Sequence, residues 1–307
     1  MRPTTILASV LATVMAGAAF AQPGKSGEKP VVYTTFYPTT YFTQRIAGDL
    51  AEVVNPCPPD ADPAFWVPDE ATLAAYQKAD LVVINGADFE KWVAKASLPR
   101  PRMVETTRPL RGELITIKDA IRHSHGPGGE HTHEGTDGHT WLDPLNAKVQ
   151  AEQIRDALAR LRPEHKAAFD KGFAELAADL DKLDTRLKAL SPKLTDVQLL
   201  ANHPAWNYPA RRYGWKVQSY GVDPEEMPDE KTLEQMRAFV AKHPAKLMLW
   251  EEEPKPEVAE KLKAALGVAH VVFEPGESLS EEQARAGKNY LTIMNANIDR
   301  LEAALGK

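Results

Sequence analysis

The chain has 307 residues, of which 43% are hydrophobic and 26% are charged, a composition typical of globular proteins large enough to bury the cores of two lobes. Its 43 acidic residues outnumber its 37 basic residues, which gives a formal net charge of −6. Because no basic surplus is available to neutralise phosphates, nucleic acid is excluded as an expected partner.

The first residues, MRPTTILASVLATVMAGAAFAQ, place one arginine ahead of an apolar run that ends in Ala19-Phe20-Ala21. This pattern predicts a secretory signal peptide over residues 1–21, cleaved between Ala21 and Gln22. The apolar run is shorter than the roughly 20 residues that span a bilayer. No cysteine stands at the cleavage site to carry a lipid. We therefore expect export to the periplasm without a membrane anchor.

Strand-like and helix-like segments alternate over residues 22–160. The β-branched and apolar segments VVYTTFYP, AEVVN and LVVIN predict strands. Helices are predicted near Thr39–Gly48, Asp69–Lys78 and Phe89–Ala96. Because strands and helices alternate, we expect a parallel, three-layered α/β lobe.

The following segment is rich in Ala, Leu, Lys, Asp and Glu at helical spacing, and Pro163 is well placed to open a helix there. We assign residues 161–192 to one linking helix, which would be about 40 Å long at 1.5 Å per residue. Over residues 193–307, the segments VQLLANH, KVQSYG, KLMLWEE and AHVVFEP predict four strands of a second lobe. The predicted fold is therefore two α/β lobes joined by one long rigid helix.

Five of the nine histidines fall within a polar, glycine-rich segment, HSHGPGGEHTHEGTDGH, at positions His123, His125, His131, His133 and His139. This composition predicts a mobile surface loop over residues 123–139. Clustered imidazoles raise the local concentration of zinc-compatible nitrogen, so the first four histidines are candidate accessory metal ligands. The alternative is a solvated loop in which the histidines are incidental.

Two histidines stand out as candidates for a permanent metal site. His139 enters the sequence HTWLDP, where Trp141 and Leu142 are expected to be buried and to fix the backbone. His203 follows the strand VQLLAN, and the carboxyl ends of parallel strands face the ligand crevice. A helix cap or a core position is the alternative for His203. With one histidine from each lobe, we expect the metal site to lie between the lobes.

Acidic residues and the single cysteine complete the set of candidates. Glu251, Glu252 and Glu253 follow the strand KLMLW, so one of them could orient a ligating imidazole or act as a fourth ligand. The alternative is a solvated loop whose charges favour a helix amino terminus. Cys57 is the only cysteine, which excludes an internal disulfide and a multi-cysteine zinc site.

These elements, together with NHPAWNYPARRYG and the closing YLTIMNANIDRLEAAL, resemble the periplasmic zinc-binding proteins of ABC importers, within the cluster A-I metal-binding family. The resemblance covers nearly the whole mature chain. It implies that His139 is the second of four metal ligands, that His203 is the third and that Glu274 is the fourth. It also implies Zn(II), because manganese-binding relatives usually have glutamate at the third position.

The first ligand position departs from the family pattern. Relatives usually read Asp-Pro-His there, whereas this chain reads Asp62-Pro63-Ala64, and alanine cannot coordinate a metal. The missing donor is left open between a loop imidazole from His131 or His133, one of the three glutamates that follow KLMLW, and water. Three protein ligands with water would resemble a catalytic zinc geometry.

The resemblance implies that the protein captures Zn(II) in the periplasm and delivers it to the permease of an ABC-type importer in the inner membrane. We expect the protein to be a monomer and not an enzyme. A periplasmic zinc buffer or metallochaperone is the first alternative. A zinc-dependent hydrolase is the second, although the chain contains no HExxH sequence and no G-x-S-x-G nucleophile elbow.

Overall fold

The computed structural model describes residues 28–59, 61–124 and 130–306. The predicted signal peptide and its cleavage site lie outside these ranges. Within them, no helix combines the length and the apolar character that crossing a membrane requires.

The amino-terminal lobe is built on a parallel sheet in the order β2-β1-β3-β4. Every residue of the third strand is buried, as expected when helices cover both faces of a parallel sheet. The strands are β1 (Val31–Thr34), β2 (Glu52–Val54), β3 (Leu81–Ile84) and β4 (Met103–Glu105), and the helices are α1 (Tyr37–Ala47), α2 (Glu70–Lys78) and α3 (Pro144–Leu161).

The helix predicted over Phe89–Ala96 is wrong, because the structure has turns there. Residues 86–88 all have positive φ, which prevents a right-handed helix from starting there. The buried carboxylate of Glu90 accepts hydrogen bonds from the backbone of residues 85 and 86, and the Lys91 N–H donates to Ala64 O. Within the segment, the backbone N–H groups of residues 93, 95 and 96 donate to the carbonyl three residues back, which is the spacing of turns and not of an α-helix.

The histidine-rich segment also differs from its prediction as a loop. Two antiparallel strands, β5 (Thr116–Ser124) and β6 (Glu130–Thr136), form a separate two-stranded sheet in which His123 lies opposite His131 and Ile121 opposite His133. The glycines at 126, 128 and 129 fall between the strands in sequence, and β-branched residues lie within both strands. His125 lies outside the described residues.

The linking helix is confirmed as a long, continuous element. A 3-10 turn at Pro163–His165 precedes α4 (Lys166–Leu194), so the α-helix begins after Pro163 and ends two residues later than predicted. Its 29 residues correspond to about 43 Å at 1.5 Å per residue. The helix packs on α1 and α3 of the first lobe, and on the last helix of the second.

The carboxy-terminal lobe has the four predicted strands, in the parallel order β10-β9-β7-β8. The strands are β7 (Gln198–Ala201), β8 (Lys216–Ser219), β9 (Ala245–Trp250) and β10 (Ala269–Val272). The helices are α5 (Asn207–Tyr213), α6 (Glu230–Lys242), α7 (Pro256–Leu266), α8 (Glu281–Arg285) and α9 (Tyr290–Leu305). Two α/β lobes joined by a long helix are therefore confirmed.

A continuous hydrophobic core runs through both lobes and along the linking helix. Near its centre, Trp141 Nε1 donates to Pro275 O at 2.9 Å, and Tyr290 Oη donates to Trp141 O at 2.7 Å. Both bonds cross from one lobe to the other, two residues from His139. The lobes therefore meet in a packed, hydrogen-bonded interface beside the predicted metal ligands.

Candidate metal centre

His139 is held by its own turn. Only 3% of the residue is exposed, and its backbone N–H donates to Asp137 Oδ1 at 2.9 Å. The same oxygen lies 2.8 Å from Nδ1 of the ring. The next residue back, Gly138, has its carbonyl bound by Asn85 Nδ2 and packs so closely on Phe89 that a Cβ would lie 2.9 Å from that side chain. With Nδ1 engaged, Nε2 of His139 is the nitrogen available to the cleft.

His203 follows β7, as the sequence predicted, and is also 3% exposed. Its Nδ1 lies 3.5 Å from Glu251 Oε2. Glu251 follows the neighbouring strand β9, and its Oε1 accepts from Asn202 Nδ2 at 2.8 Å. Carboxyl ends of adjacent parallel strands thus place the imidazole and its carboxylate partner at the same sheet edge.

The side chains of His139 and His203 meet across the lobe interface. Their Nε2 atoms are 3.2 Å apart, and His139 Nε2 lies 3.0 Å from Glu277 Oε1. One ligand atom from each of these three residues lies within 4.8 Å of the others. Ligands about 2.0 to 2.2 Å from a tetrahedral zinc ion are separated by roughly 3.3 to 3.6 Å, so the described donors are spaced for a single ion.

The carboxylate in this group belongs to Glu277 and not to the predicted Glu274. The Glu274 carboxylate is 2.9 Å from Gln283 Nε2 and 3.0 Å from Arg300 Nη2, and both groups donate to it. Gly276, with φ of 68°, turns the chain between the two glutamates. The family resemblance implied Glu274, which aligns with the fourth ligand position after the last strand, whereas the Pro275-Gly276 pair is the sequence signal for a turn that delivers Glu277.

A cavity of about 560 Å³ opens from the three donors toward the surface. Ala64 lines it and is 6% exposed, so a methyl group faces the site where relatives were expected to carry a histidine. Asp62 and the glutamates at 251, 252 and 253 also line it, which makes the wall acidic and suited to a cation. A metal-binding role for His123, His125, His131 and His133 stays a prediction.

The buried carboxylates shift the protonation of the site. Burial lowers the pKa of His139, but hydrogen bonds to Asp137 and Glu277 outweigh it and raise the pKa to about 10. Burial raises the pKa of Glu251 well above its ordinary value; the hydrogen bond from Asn202 opposes that rise, and the charges of Glu277 and Glu252 add to it. Without a metal, the cleft therefore holds protons that a divalent cation would displace.

Comparison with solved structures shows the same architecture in metal-binding proteins. The crystal structure of the metal-dependent lipoprotein YcdH from Bacillus subtilis has a TM-score of 0.77 and 28% sequence identity, covering 90% of this chain and 98% of that one. The Zn(II)-bound ZnuA-like domain of Streptococcus pneumoniae AdcA has a TM-score of 0.75 and 28% identity, covering 91% of this chain and 100% of the domain.

Sequence comparison gives relatives of the same kind. The chain is 31% identical to the zinc-binding lipoprotein AdcA of Streptococcus pneumoniae strain R6, covering 98% of this chain but only 61% of AdcA. It is 30% identical to the high-affinity zinc uptake system protein ZnuA of Bacillus subtilis strain 168, covering 91% of this chain and 88% of that protein. The family model described as zinc-uptake complex component A, periplasmic, matches residues 32–304. The resemblance seen in the sequence is thus confirmed, and the chain belongs to this zinc-uptake family.

Proposed function

We propose that this protein captures Zn(II) in the periplasm and delivers it to the permease of an ABC-type importer. The observation that carries the proposal is the convergence of His139 Nε2, His203 Nε2 and a Glu277 oxygen at the spacing of ligands around one ion. Membership of the zinc-uptake family supports the same conclusion. The cargo ligands are His139, His203 and Glu277, with Glu277 replacing the predicted Glu274.

The donor set favours zinc over harder divalent ions. Imidazole nitrogen suits Zn(II), whereas Mn(II) and Mg(II) prefer sites made of oxygen donors. Each imidazole also has a carboxylate at its Nδ1, from Asp137 for one ring and from Glu251 for the other. Such partners fix the ring orientation and increase the basicity of the ligating nitrogen.

The fourth coordination position is supplied from the cavity. Ala64 lines that cavity and offers no donor atom, so water completes the tetrahedron in this proposal. An exchangeable water ligand suits a carrier that must release its ion. The function is capture and transfer, and the glutamates at 251 to 253 serve as orienting and attracting groups.

Competition titration of metal-free protein with Zn(II) and Mn(II) tests the metal assignment. Zinc should bind more tightly than manganese, because two of the three assigned donors are imidazoles. A preference for manganese would overturn the assignment. Copurification with a membrane permease tests delivery, and a protein that binds zinc tightly but associates with no permease would be a zinc buffer or metallochaperone.

A further inference from the structure

Asn207, at the start of α5 in the second lobe, bridges the segments that carry the two histidines. Its Nδ2 donates to Asp137 Oδ2 at 2.9 Å and to Pro204 O at 3.0 Å. Asp137 belongs to the first lobe and is 1% exposed, and its other oxygen is the one that holds His139. Pro204 directly follows His203 in the chain.

These bonds form a closed path of contacts behind the candidate metal centre. The path runs from the Pro204 carbonyl through the Asn207 amide and the Asp137 carboxylate to the His139 imidazole. The two Nε2 atoms, 3.2 Å apart, complete it at the front. The carboxamide of Asn207 is therefore the link through which the second lobe fixes the side chain that orients the first lobe's ligand.

The Asp137 carboxylate is fully used in this arrangement. Oδ1 accepts from the His139 backbone and lies against its Nδ1, while Oδ2 accepts from Asn207. Tyr208 Oη donates to the Asp137 carbonyl at 2.8 Å, which anchors the backbone of Asp137 but does not hold its Oδ2. Removing the Asn207 donor would leave a buried carboxylate oxygen without that partner, and such a group reorients toward whatever donor it can reach.

We propose that Asn207 is a positioning residue that holds the Asp137 carboxylate on His139 Nδ1 and so couples the geometry of the zinc ligands to the contact between the lobes. The inference rests on the proposed function, since it concerns the same ion. It assigns to a residue of the second lobe the orientation of a ligand in the first.

Two substitutions test the proposal. Asn207→Ala removes the amide, and Asn207→Asp keeps its size but replaces the donor with an acceptor that faces Asp137. Asn295→Ala is the matched control, because Asn295 also lies at a helix in the second lobe and makes two side-chain hydrogen bonds, to Arg186 and to Leu291 O, neither of which contacts a ligand segment. Thermal melting of each metal-free variant shows whether the variant is folded. If Asn207→Ala is not folded, Asn207→Asp provides the test.

Zinc affinity and the visible absorption spectrum of the Co(II)-loaded protein are then measured. Loss of a group that directly holds a metal ligand typically weakens metal binding about 10- to 100-fold. Asn207 acts one contact further out, through Asp137, so both variants should show a loss at the lower end, about 10-fold, together with altered cobalt bands. Asn295→Ala should leave the affinity and the spectrum unchanged. The altered spectrum distinguishes positioning from a general loss of stability.

The Asn207 variants could keep a zinc affinity within about twofold of wild type and an unchanged cobalt spectrum while His203→Ala still abolishes tight binding. That result would overturn this inference and leave the proposed function standing. Equal losses of affinity in the Asn207 and Asn295 variants would also overturn it. If His203→Ala bound zinc as tightly as wild type, this inference and the proposed function would both be overturned.

Discussion

Both imidazoles in the cleft are oriented from behind by carboxylates that differ in their position in the chain. Asp137 lies two residues before His139, whereas Glu251 reaches His203 from the neighbouring strand. The nitrogen that faces the cleft is therefore Nε2 on both rings. The carboxylate that joins them comes from a loop, since Glu277 lies just beyond the turn at Gly276.

Exchanging the two candidate glutamates for glutamine separates their roles. Glu277→Gln should weaken zinc binding by more than the about 10- to 100-fold typical of losing an outer-shell partner, because it removes a charged ligand. Glu274→Gln is the matched control, since its carboxylate is held by Gln283 and Arg300. Chelator competition gives both affinities. A larger loss in the Glu274 variant would restore Glu274 as the ligand.

Zinc binding should release protons from the cleft at pH 7. The pKa of His139 is raised to about 10, so both ring nitrogens are protonated in the metal-free protein at pH 7 and zinc must displace the proton on Nε2. Affinity should therefore fall as the pH falls, by up to about tenfold per pH unit for this one proton. Calorimetry in two buffers of different ionisation enthalpy measures the release. We expect close to one proton from this ring, and binding without proton release would contradict the assignment.

Among individual residues, His139 and His203 could be predicted from the sequence, because a rigid turn and a strand end are local features that can be recognised in it. Glu277 could not be chosen in the same way. Its approach depends on the left-handed conformation of Gly276 and on the Tyr37 N–H that donates to its carbonyl from the other lobe. Asn207 was also out of reach, since its partner lies 70 residues earlier in the chain.

Among the elements, α4 depends on one glycine for its contact with the first lobe. A Cβ at Gly172 would lie 2.7 Å from Ile46 O and 2.8 Å from Arg45 O, both backbone atoms of α1. The helices would have to separate, and the nearby ion pair of Arg45 with Asp179, at 2.8 Å, would be disturbed. This close approach fixes α4 against α1 of the first lobe.

Gly172→Ala should therefore destabilise the protein, although alanine is the better helix former. Overpacking typically costs about 1 to 3 kcal/mol and helix propensity returns at most about 1 kcal/mol, so the net loss is up to about 2 kcal/mol. Gly112→Ala is the control, because a Cβ there has no neighbour within 4 Å. Urea unfolding compares the two variants. Equal free energies of unfolding would show that α1 and α4 can separate without loss.

The histidine-rich hairpin is a second element that can be tested separately. Deleting residues 124–134 should leave the tightest zinc site unchanged within about threefold and should lower the total zinc bound, since glycines 126, 128, 129 and 135 make this segment costly to order around one ion. Titration of the deletion variant beside the intact protein measures both quantities. A marked loss at the tightest site would mean that an imidazole of this segment is the fourth ligand.

Local patterns predicted most elements but failed where tertiary bonds prevailed. The long helix and the strands of the two parallel sheets follow hydrophobic patterns that their own residues carry, except β4, which was not predicted. The turns at 89–96 instead follow from the buried Glu90 carboxylate and its backbone donors. The hairpin was missed because its glycine-rich composition outweighed the β-branched residues on either side.

In the whole molecule, the two lobes share one core, and the linking helix α4 contacts both of them. Asp179 of α4 forms an ion pair with Arg45 of the first lobe, and Arg186 of α4 lies 2.6 Å from Asp299 of the second lobe. The bonds of Trp141 and Asn207 cross between the lobes beside the site. We therefore expect release of zinc to depend on local rearrangement on docking, and not on a wide hinge.

Chelator competition on metal-free wild type, His203→Ala and His165→Ala tests whether one zinc ion binds between the lobes through His139, His203 and Glu277. His165 lies in the turn before α4, outside the group of converging donors found among the described residues. We predict one tight site in wild type, its loss by more than about 100-fold in His203→Ala and an unchanged affinity in His165→Ala. Equal affinities in the two variants would contradict the assignment.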